Sequence, residues 1–209
     1  MTEDEWIACT NPQRMLKHLG LMASDRKVRL FAVACCRRSW EQLTNEKLRL
    51  SLETAELFAD GKLSQKKRGS VFAAAKRPGV TVKTFPPCIA FAASLCSVKD
   101  IRLWINTIWY QSIGGPIQQH SSLAILLRDL FGNPFRPVSI GSALLRWNGG
   151  TIPKLADSIY EERAFDRLPI LADALEEAGC TEKAILTHLR GSGPHSRGCW
   201  PLDLLLGKE

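Results

Sequence analysis

Residues 24–40 read SDRKVRLFAVACCRRSW, and this stretch carries the clearest signal of a helical fold. The side-chain oxygen of Ser24 can accept a hydrogen bond from the free N–H groups of a first helical turn, which is typical of an N-cap. Val28, Phe31 and Cys35 follow at intervals of three and four residues, so they share one face of a helix. The stretch therefore predicts a long amphipathic helix running to about Leu43.

Similar helix signals lie upstream of this stretch. Thr2 and Glu5 have the spacing of a capping box. Asn11 precedes Pro12, which predicts a second helix with proline in its first turn, and Gly20 predicts its end. The first quarter of the chain is therefore predicted to be helical.

Downstream, the pattern of apolar residues continues at helical spacing. A helix is predicted from Thr44 to Asp60-Gly61, and Asp166 is expected to cap a later one. The remaining predicted helices cover about residues 97–110, 122–131, 151–163, 166–179 and 181–190. Strict alternation is scarce, so we expect little sheet. The sequence predicts an all-α, compact bundle of about eight to ten helices.

The composition is that of a folded protein. The 209 residues are 45% hydrophobic and 23% charged, which excludes a disordered chain. A single helical domain over residues 1–209 is expected, with N-terminal helices in 1–60, a divergent basic and aromatic middle in 62–120, and a C-terminal helical unit with its tail in 125–209. The start MTEDEW has no apolar signal region and no stretch is long enough to span a bilayer, so we expect a cytoplasmic protein without membrane contact.

The net charge of +7 is concentrated in one segment, residues 62–83, which we call the basic tract. It contains no acidic residue and seven cations: Lys62, Lys66, Lys67, Arg68, Lys76, Arg77 and Lys83. Unopposed cations can contact phosphates or carboxylates, so the tract is a candidate surface for an acidic protein or a nucleic acid. A solvated loop is the alternative interpretation.

The C-terminal tail, residues 191–209, ends in a leucine-rich string. Leu202, Leu204, Leu205 and Leu206 follow Trp200. Exposed leucines in such density invite aggregation. We therefore expect the four leucines to be largely buried and Trp200 to anchor the loop before them.

The string FGNPFRPV at residues 131–138 predicts a stiff connection, because proline fixes its own backbone and restricts the residue before it. We expect Asn133 and Arg136 to satisfy backbone groups or a carboxylate. Asp173 falls near the apolar face of its predicted helix, so it is a candidate partner for Arg136 or Arg167.

A cysteine and a histidine near the C-terminus are candidates for a catalytic pair or for metal ligands. Cys199 and His195 lie four residues apart, and Asp203 could orient the histidine in a thiol or hydrolytic enzyme. Zinc would need about four such ligands, usually in close pairs, and no C-x₂-C pair exists among the cysteines, which include Cys35, Cys36 and Cys180. A packing motif around Trp200 is favoured, with no metal, cofactor or catalytic residue predicted.

Five strings together resemble a known family: MTEDEWIACTNP, SDRKVRLFAVACCRRSW, FGNPFRPV, IYEERAFDRLPILADALEEAGC and RGCWPLDLLLGKE. They are similar to a family of small uncharacterised bacterial proteins abundant in planctomycete genomes. The likeness covers about residues 1–60 and 125–209. The block from Asp166 to Gly179 also resembles a short helical unit found beside repeat arrays in the same genomes. The resemblance implies no activity.

The function expected from these features is non-catalytic. A helical interaction module or assembly subunit would present the basic tract to an acidic partner. Two alternatives stay open at this point: a nucleic-acid-associated subunit of a defence or guide-RNA complex, and an enzyme using Cys199 and His195. The sequence does not predict the oligomeric state.

Overall fold

The computed structural model describes residues 1–38, 40–42, 46–64, 66–67, 69–70 and 118–208. Within these ranges the regular structure is helical, with no strand, which confirms the all-α prediction. The chain divides into two compact units, Met1–Leu127 and Arg128–Glu209. Among the described residues, no helix has both the length and the apolar character needed to cross a membrane.

The first unit begins with helices whose caps follow from the sequence. They are α1 (Glu3–Ala8), α2 (Pro12–Leu19), α3 (Asp25–Arg37) and α4 (Glu46–Ala59). Thr2 and Glu5 form the capping box, and Asn11 Oδ1 accepts hydrogen bonds from the first N–H groups of α2. Ser24 caps α3, but this helix ends at Arg37, earlier than the predicted Leu43.

Helices α3 and α4 pack together, and both contribute buried residues to the core of the first unit. Val28 and Phe31 are buried as predicted, but Cys36 is fully buried whereas Cys35 is only half-buried. The two helices are also joined by ion pairs. Arg37 donates two hydrogen bonds to Glu56, at 2.7 and 2.8 Å, and Arg26 donates to Asp60 near the end of α4.

The second unit contains four helices and the end of a fifth. Helix α5 (Gln118–Phe131) crosses the boundary between the units, and the others are α6 (Ser142–Glu162), α7 (Leu168–Glu177), α8 (Lys183–Arg190) and α9 (Trp200–Leu206). Helix α6 is broken at Trp147–Gly150, where the backbone leaves helical geometry. Gly149 and Gly150, both at positive φ, lie in this break.

The core of the second unit gathers residues from α6 to α9. Its members include Ile152, Ile159, Tyr160, Leu168, Leu171, Leu175, Ile185, Leu189, Leu202 and Leu205. Helix α9 packs against α6, so the tail docks on the body of this unit. Leu202 and Leu205 are buried, as expected, whereas Leu204 and Leu206 are only half-buried, although both pack against the same core.

Two local predictions in this unit are wrong. Asp166 lies within a 3₁₀ turn, Phe165–Arg167, and no side chain caps α7. Asp173 is exposed and pairs with Arg190 at 2.7 Å, while Arg167 pairs with Glu162. Asp173 therefore faces water beside α8 instead of accepting from Arg136 or Arg167.

Other predictions fall outside the described residues. Much of the basic tract lies there, including Arg68, Lys76, Arg77 and Lys83, and so does the helix expected over about residues 97–110. Lys62, Lys66 and Lys67 are described, and they are exposed. The single-domain expectation stays a prediction.

Candidate functional site

The second unit brings four potential ligand groups together. Asp129, His188, His195 and Cys199 each offer one atom, and these atoms all lie within 4.8 Å of one another. We call these residues the cluster. His195 and Cys199 are the pair singled out from the sequence, and the distance from Cys199 Sγ to His195 Nδ1 is 3.9 Å.

Three structural elements and one loop position the cluster. Asp129 lies in the last turn of α5, His188 in the last turn of α8, and Cys199 at the N-cap of α9. His195 lies in the loop formed by residues 191–199. The cluster therefore ties α5, α8 and α9 to one loop.

Asp129 is the shared partner of the cluster. Its Oδ1 lies 3.2 Å from His188 Nε2 and 3.0 Å from His195 Nδ1. Its Oδ2 accepts hydrogen bonds from the Ser196 N–H at 2.9 Å and the Ser196 hydroxyl at 2.7 Å. Burial alone raises the pKa of this carboxyl, but the bonds from His188, His195 and Ser196 outweigh burial and lower the pKa below its ordinary value.

Both ring nitrogens of His195 face hydrogen-bond acceptors. Nδ1 faces Asp129, and Nε2 lies 3.0 Å from the carbonyl oxygen of Gly191. Burial acts to lower the pKa of His195, yet the bonds to Asp129 and Gly191 raise it above its ordinary value. Because two acceptors demand two donors, this geometry favours the imidazolium form paired with the Asp129 carboxylate.

The tautomer of His188 follows from its contact with Trp200. The indole Nε1–H donates to His188 Nδ1 at 3.1 Å, and an indole nitrogen is a donor only. A neutral His188 must then carry its proton on Nε2, which lies 3.2 Å from both Asp129 Oδ1 and Cys199 Sγ. His188 thus donates toward the sulfur in this arrangement and does not act as a base for the thiol.

Trp200 and the loop are held by further contacts. The Trp200 ring packs so closely on Gly132 that a Cβ there would lie 3.1 Å from the indole, at a backbone φ of +63°. Arg197 donates to both carboxylate oxygens of Glu161 at 3.0 Å, and its guanidinium lies 4.6 Å from the Tyr160 ring centre. The loop is therefore bonded to α6 as well as to the cluster.

The other candidate residues from the sequence are not members of the cluster. Asn133 Oδ1 accepts from the Phe135 N–H, a local turn that satisfies a backbone group. Arg136 is exposed. The carboxylate that contacts His195 is Asp129 and not Asp203, a buried residue of α9. The Asp203 orienting role expected from the sequence is therefore not what the structure shows.

Sequence reasoning missed half of the cluster. Asp129 is 59 residues from His188 in the chain, so its proximity depends on the packing of α5. His188 could have been found, because the spacing His188-x₆-His195-x₃-Cys199 puts three ligand types within twelve residues. A search for paired cysteines overlooks that spacing.

Comparisons with known proteins add no relative. The chain matches no family model, and neither the curated proteins nor the solved structures gave a match. The resemblance to the planctomycete family stays a prediction.

Proposed function

We propose that the protein is a non-catalytic helical interaction module in which the first unit binds an acidic protein partner. The observation that carries the proposal is the distribution of charge. Residues 1–127 contain 18 lysines and arginines against 10 acidic residues, whereas residues 128–209 contain 10 against 11. The whole cationic excess of the chain therefore lies in the first unit.

The basic tract is the densest part of this excess. Lys66 and Lys67 are exposed, and the basic tract in which they lie contains no carboxylate of its own. Cations in this setting attract an acidic surface, speed association and confer salt dependence. These features support an electrostatic docking role for the tract.

The second unit supports the non-catalytic half of the proposal. Cys199 is 0% exposed and Asp129 is 3% exposed, which favours a structural role over contact with a substrate. Nucleophilic catalysis also needs a base beside the thiol, and the Trp200 bond to His188 Nδ1 favours a proton on the His188 nitrogen nearest to Cys199. The cluster therefore serves to hold elements together.

The test uses the full-length chain as bait at low and moderate salt. Changing Lys66, Lys67 and Arg68 together to alanine should weaken capture of an acidic protein and flatten the salt dependence. The matched control changes three exposed cations of the second unit, Arg146, Lys154 and Lys183, to alanine and should leave capture unchanged. Equal effects of the two triple variants would contradict the proposal.

A gel-shift titration separates the acidic protein from nucleic acid as the partner. Nucleic-acid binding would give a salt slope of about −0.9 per duplex phosphate neutralised, or about −0.7 for a single strand. No retardation at micromolar protein is the expected result. Specific retardation abolished by the tract variant would replace the protein partner with nucleic acid.

A further inference from the structure

We propose that Asp129, His188, His195 and Cys199 bind one Zn²⁺ ion, which makes the second unit a structural zinc module. This proposal is independent of the first unit and of its partner. It rests on the convergence of one thiol, two imidazoles and one carboxylate, the ligand types that zinc prefers.

The distances fit a tetrahedral site. Zinc–ligand bonds of about 2.0–2.3 Å place neighbouring corners of a tetrahedron about 3.3–3.6 Å apart. Four of the six separations between donor atoms are 3.0, 3.2, 3.2 and 3.9 Å, and the other two are within 4.8 Å. The four atoms are therefore near enough for one ion to draw them into a tetrahedron through side-chain shifts on the order of 1 Å.

The surrounding contacts already hold two of the ligands as a zinc site requires. A histidine that binds metal through one nitrogen usually donates its other N–H to a carbonyl or carboxylate, and His195 Nε2 faces the Gly191 carbonyl. Ser196 fixes the second oxygen of Asp129 through two hydrogen bonds, which leaves Oδ1 directed at the histidines.

Charge balance also favours the ion. Two anionic ligands, the Cys199 thiolate and the Asp129 carboxylate, neutralise one divalent cation in a site where both are buried. Each Zn²⁺ bound displaces the thiol proton of Cys199 and the Nδ1 proton of His195 to solvent. The net charge of the cluster is then unchanged by the exchange.

The role that follows is structural. All four corners of the site are filled by protein groups, and Cys199 and Asp129 are closed to solvent. Catalytic zinc keeps one position for water or substrate, whereas structural zinc does not. The ion would lock α5, α8, α9 and the loop at residues 191–199.

Binding through His188 Nε2 has one visible consequence. A neutral imidazole that coordinates through Nε2 carries its proton on Nδ1, so the Trp200 N–H must give up its present acceptor. The Trp200 indole should then change its environment. Tryptophan fluorescence should therefore respond to zinc, and Trp200→Phe should abolish that response without abolishing binding.

The experiment titrates the chelator-treated full-length chain with Zn²⁺ and with Co²⁺ as a spectroscopic substitute. We expect one ion per chain, intense visible absorption from tetrahedral Co²⁺ and a thiolate-to-cobalt band in the near ultraviolet. Cys199→Ser should remove the thiolate band and weaken binding by more than the about 10–100-fold typical of losing a supporting residue. Cys180→Ser, which removes another buried thiol of this unit, should keep both.

A measurement on the unaltered chain covers the case in which Cys199→Ser fails to fold. Zn²⁺ should protect Cys199 from alkylation in mild denaturant, as mapped by mass spectrometry, more than it protects Cys180. A folded wild-type chain that binds neither ion at micromolar concentration would overturn the proposal. A thiolate band that survives in Cys199→Ser, or equal alkylation of Cys199 with and without Zn²⁺, would do the same.

Discussion

In both units a buried carboxylate joins separate structural elements, but the groups that it binds differ between the units. In the first unit Glu56 and Asp60 accept from Arg37 and Arg26. In the second unit Asp129 accepts from His188 and His195. A guanidinium keeps its proton under all ordinary conditions, whereas an imidazole can exchange its proton for a metal ion.

The chemistry of these partners separates contacts that persist under most conditions from contacts that respond to them. The guanidinium groups in the ion pairs of the first unit have no lone pair to offer to a metal. The cluster of the second unit can respond to both pH and zinc. The following substitutions test that division, with hydrogen exchange and mass spectrometry assigning each effect to its unit.

The largest effect is expected for Asp129→Ala. The substitution removes the acceptor shared by His188, His195 and Ser196, and it leaves a histidine charge without its partner. Losing one partner of a buried charged pair costs about 3–5 kcal/mol of unfolding free energy. Denaturant titration should show this loss, and faster exchange should be confined to peptides from residues 128–209.

The control for this variant is Asp173→Ala, which removes an exposed carboxylate of the same unit. Its melting temperature should stay close to that of the wild type. An equal loss for the two variants would mean that Asp129 does not hold the second unit together.

A smaller loss is expected for Glu56→Ala in the first unit. The substitution removes both hydrogen bonds from Arg37. The Arg37 side chain is 21% exposed, so water can replace the lost acceptors. Hydrogen bonds to charged groups contribute about 1.5–3 kcal/mol, so the unfolding free energy should fall by about that amount. The loss should be the same at pH 6 and pH 8, and a loss that differs between them would contradict the permanent character of this pair.

The metal-free chain should lose stability in the second unit as the pH rises. The raised pKa of His195 means that its contribution is complete below the ordinary value of 6.5 and is lost as the pH climbs through the folded-state pKa. The lowered pKa of Asp129 has the opposite sense, so its contribution is lost only as the pH falls through that low value.

Melting curves in chelator between pH 5 and pH 9 should therefore decline on the alkaline side. Saturating Zn²⁺ should reverse that decline, because deprotonated histidine is the form that binds the ion. An identical decline in His195→Gln would show that another group is responsible.

The smallest effect is expected for Arg190→Ala. Arg190 bonds Asp173 and Glu176 at 2.7 and 2.6 Å, but all three side chains are exposed. Exposed ion pairs are screened and lose side-chain entropy, so they add little stability. Its melting temperature should match that of the wild type at moderate salt, and a large drop would give this surface pair an importance that its exposure argues against.

The sequence predicted the helices better than it predicted the contacts between them. Caps such as Thr2, Asn11 and Ser24 bond to groups within three residues of them, so local sequence patterns predict them. Asp129 is different, because its role depends on contacts with side chains about 60 residues away in the chain. Helix α9 was missed as a helix, although Pro201 in its first turn and Gly207 at its end are ordinary helix signals.

The Ser196 amide has a consequence for the study of this protein in solution. It lies in a loop, where backbone hydrogens ordinarily exchange with water quickly, yet it is bonded to the buried Asp129 carboxylate. Its protection from exchange therefore reports the free energy of opening the bond to Asp129, since closed amides exchange only through local opening. One resonance in a ¹⁵N heteronuclear spectrum would thus report the opening of this bond without any substitution.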